Sequence, residues 1–180
     1  LKSRGTRAWS VTVIDMNTLR VAHTYTSPRV YDESELPLAL EEYARSMDQS
    51  IDPFYIWHLQ SPTSADHKYH PAVFYGPNNT EHYLWHNGMI DSSEHAKYGR
   101  TWDTQILLES FIGSSGNPNF SRLGAFQGSF ACYYLNSGEG LYMFRNRISP
   151  QYFDNAYYSS MPFEGSIKAE PNTVYLVPSN

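Results

Sequence analysis

The feature that most constrains the fold of this chain is a succession of short segments with apolar residues at alternate positions. In residues 7–15, Trp9, Val11 and Val13 alternate with polar or small residues, which is typical of a strand with one buried face. Residues 19–26 predict its hairpin partner across a turn at 16–18. Further strands are predicted at 53–60, 72–75, 82–86, 129–135, 141–145, 152–154, 157–159 and 173–177.

Three segments are predicted to be helical. Residues 36–47 carry apolar side chains at spacings of three and four, which indicates an amphipathic helix. Residues 101–112 predict a second helix with Gly113 as its C-cap, and 123–126 a short helical turn. No repeat or linker interrupts the sequence. We therefore predict a single α+β domain over residues 1–180, with helices covering its sheets.

Composition excludes several partners. The chain of 180 residues is 41% hydrophobic, which allows a real core, and its formal charge is -5. The Lys and Arg residues are scattered, so we expect no nucleic acid partner. No apolar run approaches the roughly 20 residues that span a bilayer, so we expect no membrane contact. The single cysteine, Cys132, fits a cytoplasmic or a virion-associated protein. We expect a soluble protein with no cofactor.

The tripeptide His86-Asn87-Gly88 is the first segment that suggests chemistry, because it follows an apolar strand. Glycine lets the backbone turn sharply with its N–H free, and the asparagine amide is a second donor beside it. Two fixed donors stabilise the charge of a tetrahedral intermediate, so Asn87 and Gly88 can form an oxyanion hole. The alternative is an ordinary turn after a strand.

Asp103 lies in the first turn of the second predicted helix. The helix dipole favours a carboxylate at this place, and that stabilisation alone is a sufficient explanation. A carboxylate at the start of a helix can also hold the ammonium group of a substrate. Both interpretations stay open on the sequence.

The remaining candidates have simpler interpretations. His58, His67 and His70 lie close together in the sequence, but no Cys or Glu completes a recognised ligand spacing, so we expect no metal site. Cys132 lies within an apolar strand and is expected to be a buried core thiol rather than a nucleophile. Arg145-Asn146-Arg147 can be a solvated turn.

The order and spacing of these segments resemble the class II glutamine amidotransferases. His86-Asn87-Gly88-Met89-Ile90 matches the family's His-Asn-Gly-x-Ile, and residues 102–107 (WDTQIL) match its Ser-Asp-Thr-Glu-x-Ile at the start of a helix. Residues 58–64, followed by His70-Pro71, are similar to the stretch between a His-Thr-Arg segment and an Ala-His-Pro. Three further segments, which extend the resemblance over nearly the whole chain, are 1–15, 123–131 and 170–176.

The resemblance implies an α+β fold of the N-terminal nucleophile (Ntn) hydrolase class. This is a four-layer αββα sandwich of two antiparallel sheets, here lacking the first strand and helix. It also implies hydrolysis of the glutamine side-chain amide to glutamate and ammonia by a cysteine at the mature N-terminus. In that scheme Asn87 and Gly88 build the oxyanion hole, Asp103 holds the α-ammonium of glutamine, and His86 belongs to the substrate-binding set.

Two departures from the family pattern bear on activity. Gln60 stands where the family has an arginine that binds the glutamine α-carboxylate, so glutamine is expected to bind less well or in another pose. The sequence begins at Leu1, almost at the family's Arg-Gly turn, and does not contain the cysteine nucleophile. We therefore expect an incomplete or degenerate glutaminase domain.

Three interpretations follow. In the first, the cysteine precedes Leu1 and the domain is an active glutaminase whose ammonia acceptor is a separate protein partner. In the second, the chain is a catalytically inactive structural or interaction subunit of a larger assembly such as a virion. In the third, it is an unrelated sheet protein.

Overall fold

The computed structural model describes residues 8–28, 50–60 and 68–178. The helix predicted over 36–47, the segment 1–5 and His67 lie outside the described residues. Within them no helix has the length and apolar character needed to cross a membrane. The elements are β1 (Ala8–Asp15), β2 (Arg20–Ser27), β3 (Pro53–Gln60), β4 (Ala72–Tyr75), β5 (Glu81–Ile90), α1 (Ser92–Tyr98), α2 (Asp103–Ile112), β6 (Gly128–Asn136), β7 (Gly140–Arg145), β8 (Tyr152–Phe153), β9 (Tyr158–Ser159), β10 (Ile167–Lys168) and β11 (Val174–Leu176), with 3-10 turns at Pro77–Asn79, Gly113–Ser115 and Phe120–Ala125.

The chain divides into two compact units, the first ending at His70 and the second running from Pro71 to Pro178. The first unit contains an antiparallel sheet in the order β2-β1-β3. The turn between β1 and β2 is held by the Asp15 carboxylate, which accepts hydrogen bonds from Asn17 N–H at 3.0 Å and the Thr18 hydroxyl at 2.7 Å. Burial opposes ionisation of Asp15, yet these bonds lower the pKa of its carboxyl. The predicted hairpin is confirmed.

The burial of β1 differs from the prediction. All eight of its residues are buried, including Ser10 and Thr12, so the expectation of one buried face is wrong. The Thr12 hydroxyl accepts a hydrogen bond from the Thr24 hydroxyl of β2 at 3.3 Å, which meets part of the cost of burying a polar group. The alternation of apolar and polar residues correctly identifies a strand. It does not show that the polar face is exposed, because small hydroxyl side chains such as those of Ser10 and Thr12 can also be buried.

The second unit is built on a five-stranded antiparallel sheet in the order β11-β7-β6-β5-β4. The pairing of β5 with β6 runs from His82 opposite Asn136 to Ile90 opposite Gly128. A small antiparallel sheet in the order β10-β8-β9 belongs to the same unit. Helix α2 packs on β4 and β5, and Gln105 Nε2 donates to the Val73 carbonyl at 3.2 Å.

The core of the second unit lies between α2 and the sheet and is centred on Phe111, which is 0% exposed. Its ring meets Tyr134 edge-on at 4.8 Å between centroids and stacks on Phe120 at 5.5 Å. Such aromatic pairs add to the stabilisation from buried apolar area. The other buried members are Ala72, Leu84, Ile90, Leu107, Leu108, Ile112, Leu123, Phe130, Cys132 and Phe144.

Most predicted elements of this unit are confirmed, but β5 is longer than predicted. It continues through Asn87 and Gly88 to Ile90, so the alternative interpretation of a turn after the strand is wrong. Helix α2 begins at Asp103 rather than at 101 and ends as predicted at Gly113, whose N–H bonds to the Glu109 carbonyl. Helix α1 and the two-residue strand β10 were not predicted.

Arg145 is a structural residue and not part of a solvated turn. It is 5% exposed, and its Nε donates to the Ala169 carbonyl at 2.6 Å. Its Nη1 donates to the carbonyls of Asn146 and Ser149 at 2.9 and 3.3 Å. A buried guanidinium needs acceptors for its N–H donors, and these three carbonyls supply them. The bonds also hold the segment after β7 and the segment before β11 against Arg145.

We predict that Phe111→Ala lowers the free energy of unfolding by about 3–5 kcal/mol, because it removes a fully buried ring from a cluster that can only partly collapse. Chemical denaturation monitored by circular dichroism measures the change. The control is Tyr157→Ala, which removes an aromatic ring that is 70% exposed and should change stability by no more than about 0.5 kcal/mol. Equal losses in the two variants would contradict the assignment of this core.

Candidate functional site

His86 of β5 and Asp103, the first residue of α2, form a buried pair. Their Nδ1 and Oδ2 atoms lie 3.7 Å apart, and the side chains are 1% and 11% exposed. His86 Nε2 lies 3.2 Å from the carbonyl oxygen of Ser129. Because a carbonyl only accepts, Nε2 carries a hydrogen, and Nδ1 is directed to Asp103 and to the Thr104 hydroxyl, 3.4 Å away.

Asp103 is held as an anion. Burial opposes its ionisation, but the adjacent His86 ring and the backbone N–H groups of Thr104 and Ile90 together lower the pKa of the carboxyl. The Thr104 N–H lies 2.9 Å from Oδ1. The N-terminal end of α2 adds a favourable field at the same place. Asp103 is therefore ionised at neutral pH.

The backbone of Gly88 is turned away from β6. Phe130, its Cα partner on β6, uses its N–H and its carbonyl with Asn146, at 3.3 and 3.0 Å. In an antiparallel ladder a residue whose partner bonds to the next strand directs its own N–H to the opposite edge. On that edge β4 ends opposite Leu84, so no strand among the described residues lies beside Gly88.

The Asp103 carboxylate lies beside the same edge of β5. Ile90 lies two positions after Gly88, so their N–H groups face the same edge, and the Ile90 N–H is close enough to the Asp103 carboxylate to help lower its pKa. Residues two apart on a strand are separated by about 7 Å. A hydrogen-bond donor and an anion are thus arranged along one edge at a separation suited to a small ligand with an acceptor at one end and a cation at the other.

Asn87 and Gln60 are the other two predicted site residues. Asn87 adjoins His86 on a strand, so its side chain projects from the opposite face of β5. Among residues 8–28, 50–60 and 68–178 its half-buried amide has no hydrogen-bond partner. Gln60 is the last residue of β3, opposite Ala8 in the first unit. The structure brings together His86, Gly88 and Asp103.

The histidines and the cysteine have no metal-binding geometry in the described part of the chain. No group of three or more His, Cys, Asp or Glu residues is placed there to hold an ion. The rings of His58 and His70 stack at 3.7 Å between centroids. Cys132 is 0% exposed, and burial together with the nearby Asp103 charge raises the pKa of its thiol. The prediction of a buried core thiol is confirmed.

The sequence did not reveal the residues that support the site. Thr104 and Ser129 bond to the two nitrogens of His86, and Asn146 holds Phe130 away from Gly88. Thr104 could be noticed as the neighbour of Asp103. The roles of Ser129 and Asn146 depend on the register of β6 against its neighbouring strands, and this register cannot be predicted from the local sequence.

Comparison with known proteins places the fold. No family model and no curated protein matches the sequence. Among solved structures, the chain resembles a glutamine phosphoribosylpyrophosphate amidotransferase from B. subtilis complexed with ADP and GMP, with a TM-score of 0.58 and 15% identity over 87% of this chain and 36% of that one. It also resembles a structure described as the allosteric regulatory enzyme of purine biosynthesis, with a TM-score of 0.58 and 16% identity over 84% of this chain and 34% of that one.

At these identities the likeness concerns the fold alone, and the chain spans about a third of the length of either structure. The predicted fold class is confirmed, because the antiparallel sheets, the few helices and these neighbours agree. The chain has an α+β fold of the Ntn-hydrolase type, like that of class II glutamine amidotransferases.

Proposed function

We propose that this chain is a glutaminase-type domain that binds glutamine at the open edge of β5 and, with a nucleophile from outside residues 1–180, hydrolyses its side-chain amide. The observation that carries the proposal is the ionised Asp103 carboxylate on the edge to which the Gly88 N–H is directed. The fold neighbour from B. subtilis is named a glutamine phosphoribosylpyrophosphate amidotransferase, which supports glutamine as the substrate.

The proposed role of Asp103 is to bind the α-ammonium of glutamine. A carboxylate held ionised in a buried setting forms a strong, charge-assisted hydrogen bond with an ammonium group. His86 lies 3.7 Å from the carboxylate and, through its hydrogen bond to Ser129, keeps a fixed orientation beside it. His86 is therefore a positioning residue for Asp103 in this proposal.

Gly88 N–H and the Asn87 amide are the proposed donors to the oxyanion. Glutamine carries its ammonium and its amide carbonyl at the two ends of a three-carbon segment, so an extended glutamine along β5 reaches from Asp103 toward Gly88. The Asn87 amide has no partner within the described residues and adjoins this N–H in sequence. Fixed donors of this kind lower the barrier to tetrahedral intermediates.

The nucleophile of the reaction is not Cys132. Its thiol is fully buried and its pKa is raised, so it forms no thiolate at neutral pH. A cysteine at the mature N-terminus, as the family resemblance implies, supplies the thiol in this proposal. Activity therefore has to be measured on the full-length protein.

The second candidate function is an inactive interaction subunit that retains the fold. It is favoured by exposed large apolar side chains between β7 and the end of β11, because such side chains mark protein contacts where they form one patch. These are Ile148, Tyr157, Met161, Ile167, Val174 and Leu176. Gln60, in place of the arginine expected from the resemblance, favours the same interpretation. Glutamine turnover separates the two candidates.

We predict that the full-length protein releases ammonia from glutamine and that Asp103→Asn raises KM about tenfold or more, with a smaller effect on kcat, because the α-ammonium contact is lost. 4-Carbamoylbutanoate, which lacks the α-ammonium, should be a poor substrate of the wild type. Its kcat/KM should be the same for Asp103→Asn as for the wild type. The control is Asp91→Asn, which alters an exposed carboxylate in the same unit. If Asp103→Asn loses activity with glutamine and with 4-carbamoylbutanoate by the same factor, Asp103 does not contact the ammonium.

Asn87→Ala should lower kcat by about 10²–10³-fold, since one oxyanion donor is removed while the binding of the α-ammonium is unchanged. Steady-state ammonia release measures it, with Asn155→Ala, an exposed asparagine, as the control. If wild type and Asn87→Ala both release negligible ammonia, the protein is not a glutaminase and the interaction-subunit function stands.

The lowered pKa of Asp103 makes stability depend on pH. A carboxyl whose folded pKa lies below the ordinary 3.8 stabilises the fold above that value and loses this contribution as pH falls through the folded pKa. Asp103→Asn should therefore cost about 1–3 kcal/mol of unfolding free energy at pH 7, and the difference should shrink in acid. Urea denaturation at several pH values tests this. Parallel curves for the two proteins would contradict an ionised, paired Asp103.

A further inference from the structure

Strand β11 forms one edge of the five-stranded sheet in the second unit. Its inner side pairs with β7, and the Val177 N–H that follows it donates to the Leu141 carbonyl at 2.8 Å. In an antiparallel ladder, residues that bond to the neighbouring strand alternate with residues that direct their N–H and carbonyl groups away from it. Tyr175, two positions before Val177, therefore bonds to β7. Val174 and Leu176 direct their backbone groups to the outer edge, where no strand of the described residues pairs with them.

The register of β7 supports this assignment independently. The Asn146 N–H donates to the Phe130 carbonyl at 3.0 Å, so the even-numbered residues of β7 bond to β6 and the odd-numbered ones face β11. Met143, an odd-numbered residue, is the Cα partner of Tyr175. The two residues that flank Tyr175 are therefore the ones with outward-directed backbone groups.

The side chains of this edge are apolar and uncharged. Val174 and Leu176 are 40% and 63% exposed, and they lie on the face of the sheet that carries their Cα partners Phe144 and Tyr142. Residues 171–178 (PNTVYLVP) contain no charged side chain, and the two prolines stand at the ends of the segment, outside the strand. Edge strands of monomeric proteins are commonly protected by a charged residue, a proline or a bulge. The edge of β11 lacks a charge or a proline within the strand.

We propose that β11 pairs with β11 of a second copy of this chain, in an antiparallel arrangement with two-fold symmetry. In the symmetric register Val174 lies opposite Leu176 of the second copy, and Leu176 opposite its Val174. These residues carry the outward-directed groups, so each pair forms two backbone hydrogen bonds. Each pair also brings two exposed apolar side chains together. Tyr175 lies opposite the Tyr175 of the second copy, at the two-fold axis.

A second copy fits this edge because the edge is complementary to itself. A two-fold interface requires that one surface matches its own image. Here the donors and acceptors of Val174 and Leu176 match those of the second copy, and apolar side chains meet apolar side chains. Each chain has a formal charge of -5, and the absence of charge from residues 171–178 keeps that repulsion away from the contact. The pairing uses neither Asp103 nor Gly88, so it is independent of the proposed glutaminase activity.

Sedimentation velocity of the full-length protein tests the association. The strand pair is short, so we expect a reversible dimer with a dissociation constant of about 10–100 μM. Leu176→Lys should weaken the dimer by about tenfold or more, because a lysine on an edge strand opposes pairing. The control is Ile167→Lys, which alters an apolar residue of β10 that is 60% exposed, and it should leave the dimer unchanged.

Two results of this experiment would overturn the proposal. The first is a protein that remains monomeric up to about 500 μM, which is also the result expected if another segment or another protein occupies the edge of β11. The second is a dimer that Leu176→Lys and Ile167→Lys weaken equally or not at all.

Cysteine cross-linking tests the register. Residues opposite each other in a non-hydrogen-bonded pair have Cα atoms about 4.5 Å apart, a separation that a disulfide can bridge. Tyr175→Cys should therefore form a disulfide-linked dimer under mild oxidation, measured by non-reducing electrophoresis. Val174→Cys is the matched control, because its two copies lie two positions apart along the strands, beyond the roughly 7 Å limit for a disulfide. Cys132 is 0% exposed and is common to both variants.

Exposure alone predicts the opposite result, since Val174 is exposed and Tyr175 is half-buried. Cross-linking of Val174→Cys at the same rate as Tyr175→Cys, or faster, would therefore contradict the symmetric register. If Tyr175→Cys does not fold, a mixture of Val174→Cys and Leu176→Cys replaces it, because both side chains are exposed. The mixture should give a linked dimer that neither variant gives alone, and its absence would overturn the proposal.

Discussion

The pairing of β5 with β6 is the constraint on which the rest of the second unit depends. A Cβ on Gly88 would lie 2.1 Å from the Ser129 carbonyl oxygen, and one on Gly128 would lie 2.4 Å from the Met89 carbonyl oxygen. Both glycines have positive φ, 147° and 118°, where other residues are strained. Glycine at 88 is therefore required by the close approach of the two backbones, whatever its N–H does for a substrate.

Two polar side chains, the half-buried Asn146 and the buried Arg145, connect this pairing to the loops after β7. Asn146 Nδ2 donates to the Gly128 carbonyl at 2.9 Å, while its Oδ1 accepts from the N–H groups of Phe130 and Ile148. Because the N–H and the carbonyl of Phe130 bond to Asn146, the Gly88 N–H is directed to the other edge of β5, where no strand of the described residues lies beside it. Arg145, adjacent in sequence, fixes the segment that leads to β11. The turn after β7 therefore bonds both to β6, beside the candidate site, and to the segment that leads to β11.

Sequence analysis predicted what local periodicity and local chemistry determine. Residues 53–60 and 72–75 alternate or run apolar and form the strands β3 and β4 with the predicted bounds, and Asp103 lies in the first turn of α2 as its sequence context indicates. The extension of β5 past His86 was missed because a glycine there reads as a turn, whereas pairing with β6 overrides that preference. The partnership of His86 with Asp103 joins residues on two elements, so only tertiary packing could reveal it.

The packing of helix α2 explains how the buried Asp103 carboxylate is held in its position. Phe111 and its neighbours anchor the helix in the core, so the position of Asp103 is set by packing and not by its own contacts. A carboxylate imposed in this way must be compensated, and His86, the Thr104 N–H and the Ile90 N–H do so. Apolar replacement of such groups is often neutral for stability, so the proposed ammonium contact gives Asp103 a role that stabilisation of the fold alone does not supply.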